Sequence, residues 1–323
     1  MSSSARLIQQ EDLPASLWLR EERVLLLPPA LVTSWTTLLD RHGLRTRAEQ
    51  PPSERGPTGG LSPEACDDHF ARRFTGSAAR VQLAVLDPHL HLPEIADAFT
   101  VVFAGGRVAM ADLPCGAGAA SLAILTTLAE LRSAGLIPRE PLDVVLIGGE
   151  IAERARCHAA DGLAVVRPLL EQQAIFVSET IMHWDVCDSL SNTDLIQQLT
   201  IRSQGCGARA LVLANFSDFL QREDKWPRAK PQFEELFRHS RDKRSSVVWI
   251  EPAMNNALPE TGGLFSRLGI WLAELRSRFV HIFPTQADPN VVARSQAEVS
   301  DPLNPAFRFP VTLAVKRFDL YRN

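Results

Sequence analysis

The sequence predicts an α/β protein built on a mostly parallel sheet, and three observations carry that prediction. From Arg107 onward, short apolar runs alternate with longer stretches of helical period. Such alternation implies parallel strands with helices on both faces. One strand-to-helix junction, 108–118, reads Val-Ala-Met-Ala-Asp-Leu-Pro-Cys-Gly-Ala-Gly, an apolar run ending in an acid and a glycine turn. The last apolar run, 311–318, follows an irregular Pro- and Asn-containing stretch rather than a helix. Without a helical crossover it is expected to return antiparallel.

Taken in order, residues 1–60 read as an N-terminal extension and 61–323 as the main domain with its leading helices. The extension carries apolar residues (Leu17, Leu19, Val24, Leu25, Leu26, Leu27) broken by Pro28 and Pro29. Pro and Gly crowd 51–60, which predicts a flexible connection. Ser62 followed by Pro63 and Glu64 is a helix start, with Ser62 as the cap. Helices are expected over 63–74 and 92–104. Strands are expected at 108–113, 142–147, 175–177 with 180–182, 208–214, 247–250, 279–283 and 311–318. Helices fill the gaps at 119–134, 152–171, 190–201, around 232–241, and 263–276.

Composition narrows the class. The chain has 323 residues, 45% hydrophobic and 22% charged, which suits a soluble globular protein of one large domain or two. No apolar run approaches the roughly 20 residues of a membrane span, so no membrane association is expected. The first ten residues lack the apolar core of a secretory signal. Five scattered cysteines without a C-x-x-C pair point to reduced thiols in a cytoplasm and away from structural zinc. A net charge of −4 gives no global nucleic-acid signature.

The glycine turn carries the chemistry. Gly116 and Gly118 lack Cβ, so they reach unusual φ and let a ligand approach the backbone. The helix behind them offers free N–H groups at its start. No Gly-Lys-Ser/Thr closes the turn, which excludes a phosphate-binding P-loop. A dinucleotide fingerprint would place its third glycine at Ser121, a poor fit to close helix–strand packing. Glu150 ends the second strand in Leu-Ile-Gly-Gly-Glu, where an acid accepts hydrogen bonds from ribose hydroxyls. Gly148 and Gly149 are expected to open room for the ligand beside it. The alternative is a solvated acid at the start of the next helix.

The Asp-x-x-Cys-Gly-x-Gly arrangement at Asp112, Cys115, Gly116 and Gly118 resembles the first motif of class I S-adenosyl-L-methionine (SAM)-dependent methyltransferases. Pro114 stands where that family usually has its first glycine. The resemblance covers about residues 104–320. It implies a Rossmann-like seven-stranded sheet whose last strand is antiparallel, SAM as cofactor, and methyl transfer as the activity. It places Asp112, Pro114, Cys115, Gly116, Gly118 and Glu150 around the cofactor. Asp185 or Asp188, after the third strand, would contact the adenine, with Asp188 alternatively capping the helix at Leu190. Asn215 and Ser217, after the fourth strand, would face the transferred methyl, or simply end a strand and cap a helix. The Asn/Asp-Pro-Pro-aromatic motif of amino-directed nucleic-acid enzymes is missing there. The acceptor therefore stays open between small molecule, protein and nucleic acid. After the fifth strand, Pro252 ends the run and polar residues follow at 253–256.

Other residues carry weaker signals. His89 and His91 are two apart and could share a strand face, but no further ligand accompanies them, so no metal site is expected. Arg72, Arg73 and Arg80, with Phe70 and Phe74, read as a solvated basic helix face, with a nucleic-acid contact as the alternative. Trp226 opens a charged insert that could serve as a lid. Two further function classes stay in view: a catalytically inactive methyltransferase-like subunit that meets a partner protein through its N-terminal extension, and a nicotinamide-dependent oxidoreductase.

Overall fold

The computed structural model describes residues 7–50, 61–242, 244–254, 257–278 and 292–320. The chain opens with β1 (Trp18–Leu19), β2 (Val24–Leu25), α1 (Pro29–Arg41), α2 (Arg45–Ala48), α3 (Pro63–Leu86) and α4 (Pro93–Val102). The first half of the core is β3 (Gly106–Asp112), α5 (Ala119–Ser133), β4 (Leu142–Gly149), α6 (Glu153–Gln172) and β5 (Ile175–Met182). The second half begins with α7 (Ser189–Arg202), β6 (Ala208–Ala214), α8 (Ser217–Arg222) and α9 (Trp226–His239). It closes with β7 (Ser245–Glu251), α10 (Leu264–Arg278), β8 (Ala293–Ser300) and β9 (Arg308–Asp319).

All the strands form one sheet in the order β1-β2-β8-β9-β7-β6-β3-β4-β5. β3 to β7 are parallel to one another, and β9 runs antiparallel between β7 and β8. Counting the seven core strands from β3, the order is 3-2-1-4-5-7-6. This is a Rossmann-like sheet with a reversed last strand. The chain first winds outward from β3 to β5, then returns to β6 on the other side of β3. In sheets of this kind such a reversal marks the ligand crevice, at the carboxyl ends of the two central strands, here β3 and β6.

Side-chain alternation splits the core into two layers. Val108, Met110, Val144 and Leu146 pack under α1, α3, α5 and α6, whereas Ala111, Val145 and Ile147 pack under α7, α9 and α10. The N-terminal hairpin widens the sheet, because β2 pairs in parallel with β8. The sheet therefore has nine strands, two more than the sequence predicts.

Three expectations are corrected. The predicted strand at 279–283, like the linker 51–60, lies outside the described residues. The sixth core strand is Ala293–Ser300, within the stretch read as irregular. Its buried positions, Ser295, Ala297 and Val299, alternate with exposed ones but are mostly small, so the apolar signal is faint. α3 continues twelve residues past the expected end at Phe74, to Leu86. Gly76 costs an isolated helix about 1 kcal/mol. Burial of Ala78, Val81, Leu83 and Val85 overrides that penalty. Ser62 caps this helix as expected, its hydroxyl accepting the Ala65 N–H at 3.2 Å. Trp226 belongs to no lid: it is buried against Phe233, Trp249 and Trp271.

Candidate cofactor crevice at the carboxyl edge

Asp112 ends β3 and is buried. Its Oδ2 accepts the Ser121 N–H at 3.0 Å, tying the strand to the first turn of α5. Its Oδ1 is buried with no hydrogen-bond partner. Burial pushes this carboxyl up to about 7, against the Ser121 hydrogen bonds that lower it. Pro114 follows a cis peptide bond from Leu113. Cys115 is buried, and its N–H donates to the Gly149 carbonyl at 2.9 Å.

The two loop glycines serve different purposes. Gly116 has φ +52°, and a Cβ there would meet nothing within 4 Å. It borders open space, as a ligand cradle requires. Gly118 has φ +81°, and a Cβ there would lie 3.2 Å from the Cβ of Ala159. Its missing side chain lets α5 approach α6.

The end of β4 departs from expectation. Gly148 and Gly149 open no room for a ligand. A Cβ on Gly148 would sit 3.0 Å from the Cys115 Sγ. One on Gly149 would sit 2.7 Å from Leu113 Cδ2 and 2.9 Å from Trp184 Cβ. These glycines admit the protein's own side chains. Glu150 is 9% exposed, so it is no solvated acid. Its Oε1 accepts the Ala152 N–H at 2.8 Å, and its Oε2 accepts the Gly116 N–H at 3.2 Å. Burial raises its pKa, while those amides and the Arg156 guanidinium hold it down. Glu150 thus clamps the glycine loop to the start of α6.

After β5 the two acids divide. Asp188 is exposed and caps α7, its Oδ1 accepting the Leu190 N–H at 3.0 Å. Asp185 is half-buried, and its Oδ1 accepts the Cys187 N–H at 2.8 Å. Between them and β4 stands Trp184, 2% exposed, whose indole donates to Asn192 Oδ1 at 3.2 Å.

After β6, Asn215 sits in the left-handed region at φ +58°, and its Oδ1 accepts a hydrogen bond from Arg80 Nη1 at 2.9 Å. Ser217 is 1% exposed, so it cannot touch an acceptor as expected; its amide and hydroxyl lie beside the buried carboxylate of Glu251 and hold its pKa down against burial. Glu251 also takes the Phe216 N–H at 3.0 Å and the Trp249 indole at 2.8 Å through Oε1. Residues 255 and 256 lie outside the described set.

The carboxyl edge of the sheet therefore carries Asp112, Gly116, Glu150, Asp185 and Asn215, and leaves Gly118, Ser217 and Asp188 in structural places. Sequence reasoning missed the contribution of α3. Arg80 is not solvated: it reaches Asn215, and burial lowers its pKa to about 10. Cys66, on the same helix, packs on Ala152 and Ala155 at the start of α6. The spacing Cys66, Arg73, Arg80 repeats every seven residues and was the available signal. His89 stacks edge-on against Trp18, and no metal-binding cluster occurs among the described residues.

The residues present fit a SAM-like donor on the loop side, where Asp112 Oδ1 lacks a donor and Gly116 borders free space. Beside β4 the fit fails, because Leu113, Cys115 and Trp184 occupy the space around Gly148 and Gly149. No protein-family model and no curated protein matches the chain. A solved structure from Pyrococcus horikoshii, titled as a proposed RNA methyltransferase, is similar over 77% of this chain and 98% of its own. The identity is 13% and the TM-score 0.32, so the fold rests on the strand order itself.

Proposed function

We propose that this chain is a SAM-dependent methyltransferase whose donor lies in the crevice between β3 and β6. The observation that carries this reading is the reversed β9 between β7 and β8, in a sheet whose first strand delivers Asp112 and Gly116 to the switch point. SAM, when bound, supplies a methyl group activated by a sulfonium centre. The protein's task is then largely alignment, which can contribute roughly 7–11 kcal/mol. Gly116 would lend backbone to the donor, Asp112 Oδ1 would accept from an amino group, and Asp185 would meet the adenine. Asn215, hydrogen-bonded by Arg80, would stand at the methyl side.

A second reading has an observation of its own. The packed end of β4 and the engaged Glu150 favour a methyltransferase-like subunit that holds no donor and works through a partner. Titration calorimetry with SAM, S-adenosylhomocysteine and NAD separates the readings. The first expects saturable binding of both adenosyl compounds and none of NAD. Silence toward all three would leave the partner-subunit reading standing, and binding of NAD alone would sink both.

A further inference from the structure

α3 carries a polar stripe with two arginines toward the carboxyl edge of the sheet. Cys66, His69, Arg73 and Arg80 fall within a narrow arc of the helix at 100° per residue, beside the apolar stripe of Phe70, Phe74 and Ala78 that enters the core. The ends of the stripe are fixed. Cys66 packs at the start of α6 and feels the Glu150 carboxylate. Arg80 reaches Asn215 at the end of β6. Arg73 lies seven residues from each, about 10 Å along the axis, so it stands midway between the start of α6 and the end of β6.

The stripe is poorly compensated. Arg73 makes no hydrogen bond or ion pair among the described residues, and its charge is felt by both His69 and Arg80. Arg80 spends Nη1 on a neutral amide oxygen, and its Nε is buried with no partner. The acid that Arg80 feels, Glu251, gives Oε1 to the Phe216 N–H and the Trp249 indole and makes no ion pair with Arg80, although its Oε2 is buried without a hydrogen-bond partner. Asp68, near His69, is paired with Arg72 at 2.9 Å. An arginine fork presents several donors suited to a planar or tetrahedral oxyanion.

We propose that Arg73 and Arg80, with His69 beside them, bind an oxyanion of the methyl acceptor, a phosphate or a carboxylate, and hold it over Asn215. The assignment to the acceptor rests on the methyltransferase reading, whereas the anion site itself does not.

The test is binding of inorganic phosphate and of acetate to the full chain, followed by histidine and arginine side-chain NMR shifts. Saturable millimolar binding is expected, and whichever anion binds tighter names the class. Arg73→Gln and Arg80→Gln should each weaken it about tenfold or more. Arg72→Gln, whose guanidinium is paired with Asp68, should leave it unchanged. Arg73 is half-exposed and makes no hydrogen bond or ion pair among the described residues, so Arg73→Gln keeps the test valid if Arg80→Gln does not fold. Wild-type affinity in Arg73→Gln, or no saturable binding by the wild type, overturns the site. If S-adenosylhomocysteine displaces the anion competitively, the acceptor assignment falls. If that compound does not bind at all, the methyltransferase reading fails while the phosphate result stands by itself.

Discussion

The two sides of the carboxyl edge are built on different principles. At the ends of β4 and β5, Gly148, Gly149, Trp184 and Cys115 are packed to contact, and Glu150 is fully employed by two backbone amides. At the ends of β3, β6 and β7, polar groups are gathered with bonds still unmade: Asp112 Oδ1 and Arg80 Nε are both buried without partners. The contrast shows that a glycine at a strand end has two possible meanings. It can leave room for a ligand, as at Gly116, or for a neighbouring side chain, as at Gly149.

The largest effect that would sharpen this contrast concerns Asp112. Its pKa rises from 3.8 to about 7 because the carboxyl is buried, so the folded state holds its proton more tightly than the unfolded chain. The stabilising effect is complete below about pH 4 and is lost as pH rises through about 7. A shift of about 3 units corresponds to roughly 4 kcal/mol. Urea unfolding from pH 4 to 8 should show wild-type stability declining through this window and Asp112→Asn declining much less. Glu150 and Glu251, raised in the same direction, will leave some slope in the variant. Superimposable curves would mean that burial does not hold the proton on Asp112.

Glu150 tests the packed side. Glu150→Ala removes the acceptor of the Gly116 and Ala152 amides. Hydrogen bonds to a charged group contribute about 1.5–3 kcal/mol each, and relief of the buried charge offsets part, so a loss near 3 kcal/mol is expected. Glu153, exposed in the first turn of α6, should tolerate the same change within about 0.5 kcal/mol. Chemical denaturation of the two variants measures both. An unfolding free energy for Glu150→Ala equal to wild type would show that the loop needs no clamp.

Much of the scaffold was legible because most core strands are apolar runs bounded by turn residues. The strand at 208–214 and the helix starting at Ala119 sit where period and glycine put them. β8 escaped because its inward residues are Ser295, Ala297 and Val299, small groups beside a long strand that supplies most of the apolar surface. The site was legible as a list but not as a geometry. Glu150 and Asn215 stand on the carboxyl edge as strand spacing requires. That Glu150 bonds to Gly116 and Asn215 to Arg80 depends on contacts 34 and 135 residues apart in sequence, which no local pattern encodes.

The smallest effect separates the two kinds of glycine directly. Gly149→Ala places a Cβ 2.7 Å from Leu113 and 2.9 Å from Trp184, both in the core, so the neighbours must shift. Overpacking of this kind costs about 1–3 kcal/mol. Gly116→Asn meets no such wall, since a Cβ there finds nothing within 4 Å, and asparagine tolerates the positive φ of +52°. Its stability cost should stay under about 1 kcal/mol, because the left-handed backbone is the only penalty. Binding of S-adenosylhomocysteine should respond the other way round: Gly116→Asn fills the free space and weakens it, while folded Gly149→Ala keeps it. Thermal unfolding and calorimetry on the same two preparations decide the matter. If Gly149→Ala is as stable as wild type yet loses the ligand, the end of β4 is the ligand surface. The packed and open sides would then have to be exchanged.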